Sequence, residues 1–398
     1  MDKTRELLID SERIAGLKDI IISAADEISN AINEKRPVWI RHHNDCDGYC
    51  AALVLEKSIQ KKMYNVHNKE SDFFFFYKRF PTRTPYYNYA DATRDISIFL
   101  SESERFNRKK PLILILDNGS SQEDIFSLKK LNLYGIKPIV IDHHPIGSEN
   151  DAYISVHLNS GESDISSSML ASEVANILGG VMNPELYAAT GAIADKSESN
   201  ELESYLAIAV KKGYSREFLS SSAQLIDFEV NHLGNSEARS YVQELIFGDI
   251  KIMEELMGIV GEEIEKETKL VESIAIKYLV YNEFEDYIVA SIDTEKFFNL
   301  KGLSNSKITN ISRNKLEEIK NKPVAMLGYG SDIITFRINK ELDFDMNKIK
   351  EKLLEKFPHS MIQGGGHAKA GSIHFSKNLA DEIREEAFNF LMGGKDGK

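Results

Sequence analysis

Val38-Trp39-Ile40-Arg41-His42-His43-Asn44-Asp45-Cys46-Asp47-Gly48 opens the reading of this chain: an apolar run ends abruptly in imidazoles and carboxylates, and a helical pattern follows. The same grammar returns at Leu112-Ile113-Leu114-Ile115-Leu116 with Asp117-Asn118-Gly119-Ser120, and at Ile139-Val140-Ile141 with Asp142-His143-His144. A fourth acid, Asp195, ends the stretch Thr190-Gly191-Ala192-Ile193-Ala194. Short apolar runs alternating with helical segments predict βαβ units and a parallel sheet. The carboxyl ends of such strands open into one crevice, so these clusters should converge although about 150 residues separate the first from the last. Carboxylates and imidazoles crowded together repel or titrate unless a cation sits among them. A metal site is therefore the first expectation.

The chain has 398 residues, enough for two or three domains with sizeable cores. No run is long and apolar enough to cross a bilayer, and Met1-Asp2-Lys3-Thr4-Arg5-Glu6 lacks the apolar core of a signal peptide. The cysteines, Cys46 and Cys50, lie one helical turn apart, where a disulfide would staple little. A reducing cytoplasm, with no membrane, is the expected setting. The net charge of −13 argues against a broad basic face for duplex DNA. It leaves room for a nucleic-acid enzyme whose bound metals and local groove hold a few phosphates.

Apolar positions Ile14, Leu17, Ile21, Ala24, Ile28 and Ile32 predict an amphipathic helix before the first strand. Helices are expected from Gly48 to Lys61, near Glu123–Leu133 and through Ser168–Leu178, and the pattern from 200 to 272 is mainly helical and charged. After 272 the period changes. Strands are expected at Ile274–Tyr281, Tyr287–Ser291, Val324–Leu327 and Ile333–Ile338, then a helix at Met346–Phe357, a glycine-rich loop and a last strand at Ser372–Phe375. The expected architecture is α/β: a parallel-sheet catalytic domain over 1–200, a helical connector over 201–271 and a smaller α/β domain over 272–398, with a cleft between the domains.

Mixed carboxylate and imidazole donors suit Mn²⁺ better than Ca²⁺ and also admit Mg²⁺, Fe²⁺, Co²⁺ or Zn²⁺. The candidate ligands outnumber the needs of one ion. Two ions sharing a carboxylate can activate water and neutralise a phosphoryl transition state.

The ordered set of His43-x-Asp45-x-Asp47-Gly48, Asp117-x-Gly119-Ser120, Asp142-His143-His144-Pro145 and Gly191-x-Ile193-Ala194-Asp195 resembles the DHH phosphoesterase superfamily. Within it, the chain is similar to the archaeal RecJ-like exonucleases. The C-terminal Gly364-Gly365-Gly366-His367 with Ala370-Gly371 resembles the glycine-rich segment of the DHH-associated domain. The resemblance implies two Mn²⁺ ions, with Mg²⁺ as substitute. His43 and Asp45 would hold one ion, Asp47, His143 and Asp195 the other, and Asp117 both. Asp142 would orient His143 from behind, and His144 would face the scissile phosphate. Several relatives carry the first histidine where Arg41 stands here, so His42 and His43 both remain candidates.

On the substrate side, the glycine run Gly364, Gly365, Gly366 with His367 can form an anion nest. By resemblance it binds substrate phosphate, and Arg337 occupies the place of a phosphate-binding arginine. Residues 73 to 89 interleave aromatic rings with Lys78, Arg79 and Arg83. Phe73 to Phe76 read as a core strand. Arg79, Arg83, Tyr86, Tyr87 and Tyr89 read as contacts for a single strand, through stacking and phosphate pairing.

The expected function is a metal-dependent phosphodiesterase, an exonuclease hydrolysing single-stranded DNA or RNA from an end. Hydrolysis of short RNA or of cyclic dinucleotides is the second enzymatic reading. From another class, the chain would be a replication or repair scaffold that binds a helicase or replication factor.

Overall fold

The apolar runs are continuous because the first sheet is buried on both faces. The computed structural model describes residues 5–82, 84–148, 151–158, 164–233, 239–248, 250–297, 299–300 and 302–393. They fall into two units, Met1–Met257 and Gly258–Lys398.

The first unit opens with α1 (Glu12–Ala15), capped by Ser11, and α2 (Lys18–Asn33), which buries Ile21, Ala24, Ile28 and Ile32 at helical spacing. Then come β1 (Val38–His42), α3 (Cys46–His67), α4 (Ser71–Phe76), β2 (Tyr77–Pro81), α5 (Tyr89–Phe106), β3 (Leu112–Leu116), α6 (Ile125–Leu133), β4 (Pro138–Ile141) and β5 (Ile154–Val156). The strands form one sheet in the order β2-β1-β3-β4-β5, with every pair parallel. Trp39, Ile113, Ile115 and Val140 meet Ala92, Ile96 and Phe99 of α5 and Leu128 and Leu131 of α6. On the opposite face α2 and α3 pack against β1, and α7 (Ser167–Leu178) against β4. Both faces being covered, Val, Ile and Leu can run without polar alternation. The unit continues with α8 (Pro184–Ala194), α9 (Asn200–Lys211), α10 (Arg216–Leu233) and α11 (Arg239–Phe247). α8 packs on α3 and α7, and α10 on α8.

Phe73 to Phe76 are not a core strand. They form α4, and the strand starts at Tyr77. Phe73 is buried, while Phe74 and Phe75 face solvent. A four-residue aromatic run on one helical turn points around the axis, so its rings cannot share one core face.

α12 (Ile250–Tyr278) begins in the first unit and ends in the second. The second unit adds β6 (Leu279–Glu283), β7 (Ile288–Asp293), α13 (Asn305–Lys320), β8 (Val324–Tyr329), β9 (Ile333–Ile338), α14 (Met346–Lys356), β10 (Gln363–His367), β11 (Ala370–His374) and α15 (Ala380–Met392). Its six-stranded sheet runs β10-β11-β9-β8-β7-β6, with β7–β8 parallel and the other pairs antiparallel. Period-two alternation is visible here: Val289, Ala325, Leu327, Ile334 and Phe336 pack with α14 and α15, while Ile288, Ala290, Ile292, Val324 and Met326 pack with α12 and α13.

Two expectations are corrected. Residues 274 to 278 belong to α12, not to a strand. The glycine run is not a loop but the edge strand β10, with Gly364 opposite Ile373 and Gly366 opposite Gly371. Gly364 and Gly366 lie at φ of 112° and 145°. A β-carbon at Gly364 would stand 2.4 Å from the Ser372 carbonyl oxygen, so glycine is what lets this edge pair.

Candidate metal centre

β1, β3 and β4 are adjacent and parallel, so their carboxyl ends deliver His43, Asp117 and Asp142–His144 to one place. Asp45 caps α3, its Oδ1 accepting from the Gly48 N–H at 3.0 Å. A β-carbon at Gly48 would sit 2.3 Å from the His43 carbonyl oxygen, so the turn from strand to helix needs glycine there. Asp117 sits at φ 57°, and Gly119 after it at 104°. A left-handed aspartate on a strand end is a strained turn of the kind found at functional sites.

Asp117 stands at the centre. Its Oδ2 lies 3.3 Å from His43 Nδ1, and its Oδ1 lies 3.4 Å from His143 Nε2. Asp45 Oδ2 meets the same His43 nitrogen at 2.8 Å, and Asp195 Oδ2 lies 3.6 Å from His143 Nε2. His144 Nδ1 is 2.8 Å from Asp142 Oδ1 and 3.9 Å from Asp117 Oδ1. Asp142, fully buried, also accepts from the backbone N–H groups of Ser120, His143 and His144. It thus holds His143 through the main chain, while the ring nitrogen it meets is on His144.

Asp47 is gripped by the N-terminus of α7: its oxygens accept from the Ser167 and Ser168 N–H groups at 2.9 and 3.2 Å. Both the first-turn amides and the helix dipole favour an anion there. The Ser167 hydroxyl donates to Asp117 Oδ1 at 3.0 Å. These two serines were not foreseen; the sequence marks them only as the start of a helix. Gly191 brings α8 against this corner, since a β-carbon there would lie 2.5 Å from Asp47 Oδ1. Asp195 then caps the C-terminus of α8.

The electrostatics of the cluster follow from burial and from the charges packed together in it. Burial works against protons on His43 and His143, yet Asp45 and Asp117 around the first, and Asp195 and Asp117 around the second, hold both imidazoles well above the usual range. Burial raises Asp117 as well, but the bonds from His143 and His43 outweigh it and keep it well below the carboxylate range. Burial, with Asp117 and Asp195 as neighbours, pushes Asp47 well up. Burial lifts Asp195 to about 6 against the pull of His143. The site calls for positive charge. Ligand atoms of His43, Asp45 and Asp117 lie within 4.8 Å of one another, as do those of Asp117, His143 and His144. Asp117 belongs to both groups, and the donors are the hard oxygens and imidazoles that divalent ions take. The residues fit the metal that the resemblance implies.

The two candidate histidines separate cleanly. His42 is buried edge-on against Tyr49 of α3, with Nδ1 2.7 Å from the His43 carbonyl oxygen. Burial and the charge of Arg79 press its pKa well down. His43 is the imidazole of the cluster. Arg41 turns to the other face and forms a buried ion pair with Asp95.

The expected strand contacts at 79 to 87 are corrected. Arg79 is buried, 2.9 Å from Glu56 Oε2. Tyr86 is 5% exposed, and its hydroxyl is pushed up to about 12 by burial and by Glu123. Tyr87 is fully buried and bonds to Asp95. Charged and aromatic residues here brace β2 and α5 rather than face solvent. Tyr89 is exposed, stacked on Phe126. Arg83 lies outside the described residues. In the second unit, Arg337 is half-buried on β9 and donates to Ser306 and to the Phe336 carbonyl. Burial and neighbouring Arg313 lower it to about 10. Asn347 donates to the Gly366 carbonyl at 2.9 Å.

Residues 37–208 match the model of the DHH family, N-terminal domain. An uncharacterized protein of Methanocaldococcus jannaschii is 30% identical over 94% of this chain and 54% of its own length, so the chain spans about half of that curated relative. A solved structure described as the DHH domain of a member of the s1p family of ribosomal proteins is 29% identical, with a TM-score of 0.86 over 97% of this chain and 93% of that one. RecJ of Thermus thermophilus, solved in complex with Mn²⁺, is 16% identical, with a TM-score of 0.62 over 94% of this chain and 55% of that one, a likeness of fold. With the parallel sheet and the ordered motifs that it carries, the segment 37–208 is a DHH family N-terminal domain.

Proposed function

We propose that the chain is a two-metal phosphodiesterase that hydrolyses single-stranded DNA or RNA from an end. The observation that carries this reading is one carboxylate, Asp117, held between two imidazoles, His43 and His143. His43 and Asp45 would hold one ion, His143, Asp195 and Asp47 the other, and Asp117 both, with Mn²⁺ preferred and Mg²⁺ a substitute. Bound ions supply Lewis-acid activation of water and neutralise charge on the phosphoryl group.

The protein's own side chains do the positioning. Asp142 fixes the His144 ring through Nδ1, and His144 would face the substrate phosphate. Burial opposes charge on His144, but Asp142 outweighs it and holds the ring above its ordinary value, as a hydrogen-bond donor to phosphate requires. His157 Nε2, 2.6 Å from the His144 carbonyl oxygen, braces the same segment from below. In the second unit, Arg337, whose pKa is lowered by burial and by the charge of Arg313, would meet an anion of the substrate backbone.

The deciding experiment digests end-labelled single strands of DNA and RNA with Mn²⁺, with Mg²⁺ and with a chelator, and resolves products by length. Metal-dependent, stepwise shortening supports the reading. Turnover confined to dinucleotides or cyclic dinucleotides moves it to the second enzymatic class. No phosphodiester cleavage with the cluster loaded would leave the scaffold reading, in which the chain binds a helicase or replication factor.

A further inference from the structure

The C-terminal half of α3 borders a groove of about 890 Å³ on the first unit. Lys57, Lys61 and Tyr64 fall on one face of that helix by their spacing of four and three. Lys69 and Phe74 line it from the segment that follows, and Met182 from the turn before α8. Tyr64, Phe74 and Met182 are 44%, 73% and 83% exposed, large apolar surfaces left to solvent. Patches of this kind mark interaction sites.

The groove is separate from the metal cluster. Asp47 and Lys61 sit about 20 Å apart along α3, at 1.5 Å per residue. α8 runs the other way, with Asp195 at its C-terminal cap and groove-lining Tyr187 near its start. The groove therefore lies at the far ends of the two helices that supply Asp47 and Asp195.

Its charge identifies the occupant. Three lysines and one acid, Glu70, line it, in a chain whose net charge is −13. A local positive sign against an acidic whole selects an anion. A lone phosphate has no use for exposed rings, and an apolar helix has none for the lysines. Rings interleaved with ammonium groups match a strand whose bases stack while its phosphates pair. We propose that this groove is a second binding site for single-stranded nucleic acid, outside the metal centre. Choosing a strand over other polyanions rests on the phosphodiesterase reading.

The test is fluorescence anisotropy of labelled oligothymidylate and oligouridylate with the full chain in chelator, where no strand is cut. Phe74→Ala combined with Lys61→Ala should weaken binding on the order of tenfold or more and flatten its salt dependence. Phe74→Trp with Lys61→Arg should retain it. Both residues are exposed, so melting temperatures should match the parent. Unchanged affinity in the double alanine variant overturns the proposal, as does absence of strand binding by the parent. Equal competition by polyglutamate, charge for charge, would assign the groove to an acidic peptide and overturn it too. Mn²⁺-dependent hydrolysis of a small chromogenic phosphodiester should be the same in parent and variant. If the parent fails to hydrolyse it yet binds strands through the groove, the hydrolytic reading falls and the groove stands.

Discussion

Asp117 Oδ1 lies 3.4 Å from His143 Nε2, and the neighbouring Ser167 hydroxyl donates to that same oxygen. One carboxylate thus joins the ends of β3 and β4 to the start of α7, and its other oxygen reaches His43 at 3.3 Å. The centre is built around this residue.

Asp117→Asn should leave the metal-free fold intact and remove metal binding. Differential scanning fluorimetry checks this: Mn²⁺ should raise the melting temperature of the parent by mass action, and the variant should show no rise. An equal rise in both would remove Asp117 from the ligand set.

Ser167→Ala deletes a hydroxyl donor to Asp117 but keeps the backbone N–H on Asp47. Loss of such a supporting bond should weaken metal affinity by about tenfold. Calorimetric titration with Mn²⁺ measures it, and an unchanged affinity would make the hydroxyl irrelevant to the centre.

Gly191→Ala forces a methyl to within 2.5 Å of Asp47 Oδ1 and 2.3 Å of Ser168 Oγ. Overpacking of this kind costs about 1–3 kcal/mol, readable in urea unfolding, and should lower metal affinity by moving Asp47. A neutral result would mean that α8 shifts freely.

Glu173 should give the protein a pH dependence away from the candidate metal centre. Burial lifts this carboxyl to about 7, despite bonds from the Leu8 N–H and the Tyr205 hydroxyl. A folded-state value above the unfolded one means that the native state binds the extra proton. The stabilisation is then complete below about 4.5, the ordinary glutamate range, and is lost as pH rises through about 7. In chelator, the parent should lose melting temperature between pH 5 and pH 8, and Glu173→Gln should flatten that slope. Asp124, lifted to about 7 by burial, acts in the same sense and keeps part of the slope in the variant.

Arg337→Ala should raise KM for single strands with a smaller effect on kcat, as expected where a residue binds the backbone rather than the reacting phosphate. Steady-state kinetics on a labelled strand checks it. A fall in kcat at constant KM would place Arg337 at the chemistry instead.

What could be read in advance follows from local physics. Strands β1, β3 and β4 were legible because burial on both faces writes itself as unbroken Val, Ile and Leu, and Ile333–Ile338 was legible to the residue. The convergence of the acid and imidazole motifs was legible because residues immediately after such parallel strands share a crevice. Short β5, with its Ile-Ser-Val, and β2, with Lys78 and Arg79 inside it, gave weak signals and went unseen as strands. The phenylalanine run misled because hydrophobicity at four consecutive positions carries no period.

Residue order along the chain settled the architecture of the first unit and the identity of the acids and imidazoles that meet in it, since both depend on patterns only a few residues long. The folded arrangement alone settled which groups are partners. His43 rather than His42 joins the cluster because the two side chains diverge at a strand end. Arg79 and Tyr86 support the core rather than bind a nucleic-acid strand because Glu56 holds Arg79 and Tyr86 is buried. Ser167 reaches Asp117 across 50 residues of sequence. Such contacts arise from the packing of helices and strands against one another, which no local stretch encodes.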